Sequence, residues 1–186
     1  EDFRLRVTGS IYTTSGSNRN TLFGGDRAGS RYYLVMENTL ASTSGNFTSG
    51  RINPGQTDNI TALVFNPFIK YKGLELFGNI EQTKGKAANE NADRTWNQVG
   101  FDAVYRFGSM ERFYFAGRYN KVDGTLAGSG LDISIDRVQI GGGWFISKNI
   151  LAKLEYVSQN YKGFAATDIR NGGKFNGLML EGVIGF

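Results

Sequence analysis

The sequence predicts an all-β protein folded as an antiparallel transmembrane β-barrel, and three observations lead to this fold class. Apolar and polar residues alternate in segments along the whole chain, as they do in strands with one face against an apolar medium. Most of these segments have about 10 residues, which is the length that a tilted strand needs to cross a bilayer. The connections between them are alternately short and long, as at the two ends of a transmembrane barrel.

Nine alternating segments follow one another and are the predicted strands. Each is bounded by residues that favour turns, such as Gly, Asn, Lys and Ser. A chain of 186 residues suffices for one domain, so residues 1–186 are predicted to form a single barrel domain or barrel segment. In chain order the predicted strands are residues 3–13, 31–37, 60–71, 74–83, 97–107, 112–120, 136–146, 150–161 and 175–186.

The connections separate the two ends of the predicted barrel. Short turns lie at residues 72–73, 108–111 and 147–149, whereas longer polar loops cover residues 83–95, 121–133 and 162–174. The longest connection is residues 38–59. In barrels of this kind the short turns are periplasmic and the long loops extracellular, so the C-terminus is predicted to be periplasmic.

Alternation also assigns aromatic residues to one level of the barrel. A soluble β-sandwich would alternate too, but here the aromatic residues of the apolar phase lie beside the short turns, as an interfacial girdle would. The predicted girdle consists of Tyr71, Tyr105, Phe107, Phe113, Trp144 and Phe186.

Charged residues of the opposite phase are the candidate functional residues. In a wide, water-filled barrel their excess of Arg and Lys would favour anions, whereas in a narrow barrel of about 8–10 strands such charges pair and fill the interior. The strand number is not fixed by the sequence, so both interpretations stay open. The candidate pore-lining residues are Arg4, Arg6, Lys70, Arg106, Arg112, Arg118, Arg137 and Lys153, opposed by Glu75, Glu81, Asp102, Glu155 and Glu181.

Composition argues against most enzymes. The chain has no His and no Cys, which removes the usual general base, the usual metal ligands and the common nucleophile pairs. We therefore expect no catalytic residues, no metal site, no cofactor and no enzymatic activity, although a site built from carboxylates alone is conceivable. The net charge of +4 is scattered, without adjacent Lys or Arg residues, so nucleic acid is not an expected partner.

The final strand, "FNGLMLEGVIGF", resembles the C-terminal signal of Gram-negative outer-membrane proteins. The matching positions are Leu178, Leu180, Ile184 and Phe186, whereas Gly182 stands where a larger apolar residue is common. The resemblance implies integration into outer-membrane lipid by the barrel-assembly machinery. More loosely, residues 137–161 resemble the penultimate hairpin of porin-like barrels, including the phosphate-selective porin O and P type, and no binding residues are carried over from it.

Strand parity predicts a larger barrel. If the C-terminus is periplasmic and there are nine strands, counting backwards makes the first strand run toward the short turns. A complete bacterial barrel instead begins with a strand that runs away from the short turns, and it has an even number of strands. The chain is therefore expected to be the C-terminal part of a larger barrel, unless the segment "NFTSGRI" (residues 46–52) is a missed strand.

The predicted function is a porin-like passive channel for small hydrophilic solutes, with a weak preference for anions. The alternative is a non-conducting outer-membrane barrel that acts as a scaffold, or as a subunit with other outer-membrane proteins, through its long outer loops.

Overall fold

The computed structural model describes residues 3–23 and 50–185, and within them the chain forms one antiparallel sheet in the order β1 to β8. The predicted strand at residues 31–37, most of the segment 46–52 and the girdle residue Phe186 lie outside the described residues. The strands are β1 Phe3–Thr14, β2 Asn59–Tyr71, β3 Leu74–Lys86, β4 Arg94–Phe107, β5 Phe113–Thr125, β6 Asp132–Ser147, β7 Ile150–Lys162 and β8 Lys174–Ile184.

The direction of β1 differs from the prediction. Phe3 pairs with Tyr71 and Thr14 with Ile60, so β1 begins at the short-turn end and runs antiparallel to β2. The count went wrong because it placed the segment at residues 31–37 between these two strands, whereas β1 and β2 are direct neighbours. The parity argument for a larger barrel is therefore lost.

One face of the sheet, the outer face, carries a continuous apolar band at the short-turn end. Its side chains are exposed, from Ile69 at 37% to Leu180 at 84%, although burial of such residues normally drives folding in water. The band consists of Phe3, Leu5, Val7, Ile11, Leu63, Phe65, Ile69, Tyr71, Leu74, Ile80, Val99, Phe101, Tyr105, Phe107, Phe113, Phe115, Tyr119, Val138, Ile140, Trp144, Ile146, Ile150, Leu154, Tyr156, Leu178, Leu180 and Ile184.

Four of the predicted girdle residues, Tyr105, Phe107, Phe113 and Trp144, form a row near the short turns at the edge of this band. The Phe107 ring stacks on the rings of Tyr105 and Phe113, with centroids 6.2 and 5.9 Å apart. The Phe113 ring stacks in turn on Trp144 at 6.1 Å. The residues come together because Phe107 pairs with Phe113, and Phe113 with Trp144, in the strand registers.

Toward the long-loop end the two faces exchange polarity. The outer face becomes polar, at residues such as Lys84, Asn97 and Lys121, whereas the other face becomes a buried apolar core. The strands also extend further than predicted, since β3 ends at Lys86 and β6 begins at Asp132. The long loops were therefore predicted too long, because polar residues on the outer face of these strand ends were taken for loop residues; the loops cover only residues 87–93, 126–131 and 163–173.

Among residues 3–23 and 50–185, no helix has the length and apolarity needed to cross a membrane.

Candidate functional site: the inner face of the sheet

The face opposite the apolar band, here called the inner face, carries Lys70, Glu75, Asp102, Arg118 and Lys153. Strand periodicity places these residues there, because successive side chains point to opposite faces. Each side chain is half-buried or exposed to the open space in front of the sheet. The charged residues in the short-turn halves of the strands therefore share one polar surface.

A three-residue ion cluster lies at the short-turn end of the inner face. The Glu75 Oε1 atom accepts a hydrogen bond from Lys70 Nζ at 3.1 Å and another from Arg106 Nε at 3.2 Å. The Arg106 guanidinium also lies 5.9 Å from the Tyr114 ring and 6.0 Å from the Phe145 ring. One carboxylate thus neutralises part of the charge of two cations, and the two aromatic rings orient the Arg106 guanidinium.

The middle of the inner face is lined by directly opposed charges. Asp102 and Arg118 are cross-strand partners, and Arg118 Nε and one terminal nitrogen donate to the two carboxylate oxygens at 2.6 and 2.8 Å. On β7 and β8, Lys153 Nζ lies 2.6 Å from Glu181 Oε2. These cations are matched by carboxylates, so the middle of the inner face carries little excess of either charge.

The remaining candidate pore-lining residues have different positions. Arg4 and Arg6 lie on the same face of the edge strand β1, and Arg112 lies at the turn before β5. Arg137 differs, because it is only 4% exposed and donates to Gln159 Oε1 at 3.1 Å beneath the apolar core. Although it is buried, Arg137 is one of the residues that line a space of about 310 Å³ on the inner face.

A segment not anticipated from the sequence, residues 50–58, packs across the inner face at the long-loop end. The Tyr161 hydroxyl donates to the Gly50 carbonyl at 2.7 Å, and the Gln56 side-chain amide donates to the Arg94 carbonyl at 2.7 Å. Ile52, 2% exposed, fills the core between these contacts. The segment, here called the crossing segment, joins β2 to the opposite side of the sheet.

The apolar core beneath the crossing segment explains its position. At the long-loop ends of the strands, the inner face carries large apolar residues. Without the crossing segment these residues would lie in water. The core residues are Ile52, Trp96, Val122, Ile133, Ile135, Tyr161 and Phe164, with Leu126 and Ile169 packed against them. The signal present in the sequence was the appearance of apolar residues in the polar phase of these strand ends.

Below this core, the inner face borders several spaces. Their volumes are about 310 Å³ beside Asn120, about 220 Å³ beside Lys153, about 520 Å³ beside Arg106 and about 300 Å³ beside Asn66. The first two share Asp102, Arg118 and Gln139 in their walls. The lower inner face is thus open space bordered by charged and amide side chains, whereas the long-loop end is packed.

Ion pairs also order two of the long loops. In the loop between β3 and β4, Arg94 Nε donates to Glu90 Oε1 at 2.7 Å, and this bond holds the pKa of the Glu90 carboxyl below its ordinary value. In the loop between β7 and β8, hydrogen bonds from Arg170 lower the pKa of Asp168 in the same way. Both loops are therefore braced by charge-assisted hydrogen bonds.

The apolar outer band, the polar inner face and the up-and-down antiparallel order are together the features of the outer-membrane β-barrel class. The chain is similar in structure to OmpTdeltaL8, a loop L8 deletion mutant of OmpT, an outer membrane protein of Vibrio cholerae. The TM-score is 0.53 at 9% sequence identity, and the match covers 95% of this chain and 48% of that chain. The likeness shows the fold, and the chain spans about half the length of the structure that it matches.

Comparisons of sequence add no closer relative. No protein-family model matches the chain, and no curated protein matches it.

The expectation that the chain is not an enzyme is corrected by the similarity to OmpT. That similarity establishes a barrel fold, and a fold alone does not exclude catalysis, because activity resides in the site that a fold carries. The absence of His removes several kinds of catalytic site but leaves acid–base chemistry by carboxylates open. The exclusion of enzymes is therefore withdrawn.

Proposed function

We propose that the chain is an integral outer-membrane protein whose inner face borders a path for passive diffusion of small hydrophilic solutes. The observation that carries the proposal is the contrast between the two faces at the short-turn end: the outer face is an exposed apolar band, and the inner face is polar, charged and open. Lipid would cover the first and water the second. In this orientation the short turns and the C-terminus are periplasmic and the long loops are extracellular.

A weak preference for anions forms part of the proposal. Four candidate cations, Lys70, Arg106, Arg118 and Lys153, lie within 4 Å of carboxylates. Among the described residues, neither Arg6 nor Arg112 has a carboxylate that close. A modest positive excess therefore remains on the inner face, as expected for a channel that favours anions without strong binding. The relation to the phosphate-selective porin O and P type belongs to this proposal.

Assembly by the barrel-assembly machinery is proposed from the last strand. Leu178, Leu180 and Ile184 lie on the outer face of β8, exposed by 75%, 84% and 64%. A recognition factor that binds an edge strand through alternate apolar side chains could contact all three.

Conductance in planar bilayers tests the channel proposal. We expect discrete conductance steps and a reversal potential shifted toward that of the anion. Replacing Arg106, Arg112 and Arg118 with Glu should reverse the selectivity, whereas Lys84→Glu, which changes an outer-face residue near the long loops, should leave it unchanged. A bilayer that stays silent with correctly folded protein would refute the channel.

The alternative proposal is a non-conducting barrel that holds partners through its outer loops. The described loops between β3 and β8 are shorter than predicted, which leaves less loop surface for this role. It predicts a silent bilayer and a partner that co-purifies from outer membrane in mild detergent, whereas the channel proposal predicts conductance and requires no partner.

A further inference from the structure

A space of about 520 Å³ lies at the short-turn end of the inner face. This volume is in the range of sites for small organic molecules. Its walls come from strands β2, β3, β4 and β6 and from two short turns, so residues distant in sequence converge there. The space, here called the mouth cavity, is lined by Lys70, Glu75, Arg106, Met110, Glu111, Arg112, Phe145, Ser147 and Lys148.

The mouth cavity has an excess of positive charge. It is lined by four cations and two carboxylates, and Glu75 is already engaged by Lys70 and Arg106. Within the part of the chain that the structure describes, neither the Arg112 guanidinium nor the Lys148 ammonium lies within 4 Å of a carboxylate. These two groups therefore keep their hydrogen-bonding capacity for an anion.

One wall of the mouth cavity is apolar. Phe145 lines it together with Met110, whose side chain is 73% exposed. The Phe145 amide donates to the Arg112 carbonyl at 2.8 Å, so the aromatic ring and the cation are fixed to the same pair of strands. An apolar surface thus lies beside the two cations at a set position.

The turn that carries Met110 has an unusual backbone. Met110 and Glu111 have φ values of 57° and 53°, which non-glycine residues adopt at a cost of about 1–3 kcal/mol each. The Glu111 amide closes this turn with a 3.1 Å hydrogen bond to the Gly108 carbonyl. Strain of this kind is found where side-chain placement serves a function, and here it places Met110 and Arg112 at the cavity.

We infer that the mouth cavity binds a small organic oxyanion, a carboxylate or a phosphate monoester. Its anionic group lies between Arg112 and Lys148, and its apolar part lies against Phe145 and Met110. Arg112 supplies a planar pair of donors and Lys148 a point charge, which together suit either oxyanion. The inference depends on the proposed function in one respect: it requires that water reach the inner face.

Calorimetric titration of the purified protein in detergent tests this site. Phenyl phosphate should bind saturably at one site per chain and more tightly than inorganic phosphate, which lacks the ring, whereas phenol should not bind. Phenylacetate in a parallel titration distinguishes the two oxyanions, and binding of either one supports the site. The double variant Arg112→Gln/Lys148→Gln should weaken binding by at least about tenfold.

The matched control is Lys84→Gln/Lys174→Gln, which removes the same charge from exposed outer-face positions near the long loops. It should change the affinity by less than about twofold, because those charges are distant and screened. Lys148→Gln alone, in an exposed turn, should lower the affinity even if the double variant folds poorly.

Three results would overturn the site: no saturable binding by folded protein, equal affinity for phenyl phosphate and inorganic phosphate, or an equal loss in the control. The channel proposal fails separately. Binding with a silent bilayer would leave the site and remove the channel, whereas conductance without binding would remove the site alone.

Discussion

The Tyr161 hydroxyl donates a 2.7 Å hydrogen bond to the carbonyl of Gly50, across 111 positions of sequence. The same hydroxyl accepts a 2.6 Å hydrogen bond from the Gln159 side chain, and Tyr161 is only 1% exposed. This hydroxyl therefore fixes the start of the crossing segment to β7, and the segment packs across the inner face at the long-loop end.

Removal of that hydroxyl should loosen the crossing segment. The Tyr161→Phe variant leaves the Gly50 carbonyl and the Gln159 amide without this partner, so we expect a loss of about 1–3 kcal/mol in the free energy of unfolding. The unfolding midpoint in urea and the single-channel conductance are the measurements, and the conductance should rise. Tyr156→Phe is the control, because the Tyr156 hydroxyl makes only an exposed 3.4 Å contact with Asn176. Equal effects of both substitutions would contradict the role of the Tyr161 hydroxyl in holding the crossing segment.

A methyl group at Gly143 should destabilise the sheet. A Cβ atom there would meet the ring of Tyr114 on the neighbouring strand, whereas at Gly117 the nearest atom, the Gln139 carbonyl oxygen, is 3.9 Å away. Gly143→Ala should therefore lower the free energy of unfolding by about 1–3 kcal/mol. Gly117→Ala should be nearly neutral or slightly stabilising, and the urea midpoints of the two variants make the comparison.

Loop stability should depend on pH through Glu90. The pKa of this carboxyl is lowered in the folded protein, chiefly by the hydrogen bond from Arg94. Its contribution is therefore complete above the pKa of the unfolded chain and is lost as the pH falls through the folded pKa. Glu90→Gln should lower the free energy of unfolding by about 1–3 kcal/mol at neutral pH, and the difference from the parent should shrink below about pH 4.

A double-mutant cycle provides the control for the Glu90 prediction. In an Arg94→Gln background, Glu90→Gln should have a clearly smaller effect, because the main partner that lowers the pKa is gone and only the weaker contribution of the Ala87 amide remains. A pH-dependent difference of undiminished size in this background would show that Arg94 is not the main cause.

The two faces should respond oppositely to charge. Ile140 lies in the apolar band, and its neighbour Gln139 lies on the inner face. Ile140→Arg should lower the free energy of unfolding from lipid by about 2–4 kcal/mol, as charges on the lipid face of a barrel do near the midplane. Gln139→Arg should fold as well as the parent, since Glu155 is its hydrogen-bond partner there. Urea titration in lipid vesicles measures both, and equal effects would refute the assignment of the faces.

Alternation in the sequence was sufficient to predict the fold class and the short-turn ends of the strands. There the outer face is apolar throughout, and the β2–β3 turn at Lys72 and Gly73 lies where it was predicted. Alternation failed at the long-loop ends, because Trp96 and Val122 are buried on the inner face while Asn97 and Asp123 lie on the outer face. An analysis that assumes one face to be apolar along the whole strand fails where the apolar residues move from the outer face to the inner face.

The sequence left open whether the inner-face charges pair with one another. That Lys70 and Glu75 share a face follows from the turn between them, whereas the bond from Arg106 to Glu75 joins residues 31 positions apart. The crossing segment was missed because nothing local links Gly50 to Tyr161. Such contacts depend on which strands become neighbours and on the apolar area left uncovered.

In the membrane setting proposed above, the exchange of polarity along the strands would set the depth of the molecule in the bilayer. Movement outward would take aromatic and aliphatic rows such as Phe101 and Leu154 into water, and movement inward would push Lys84 and Asp136 into hydrocarbon. Both displacements raise the free energy, so the vertical position has a minimum that needs no partner to maintain it. The long-loop ends of the strands, which have an apolar core of their own, would then stand above the lipid.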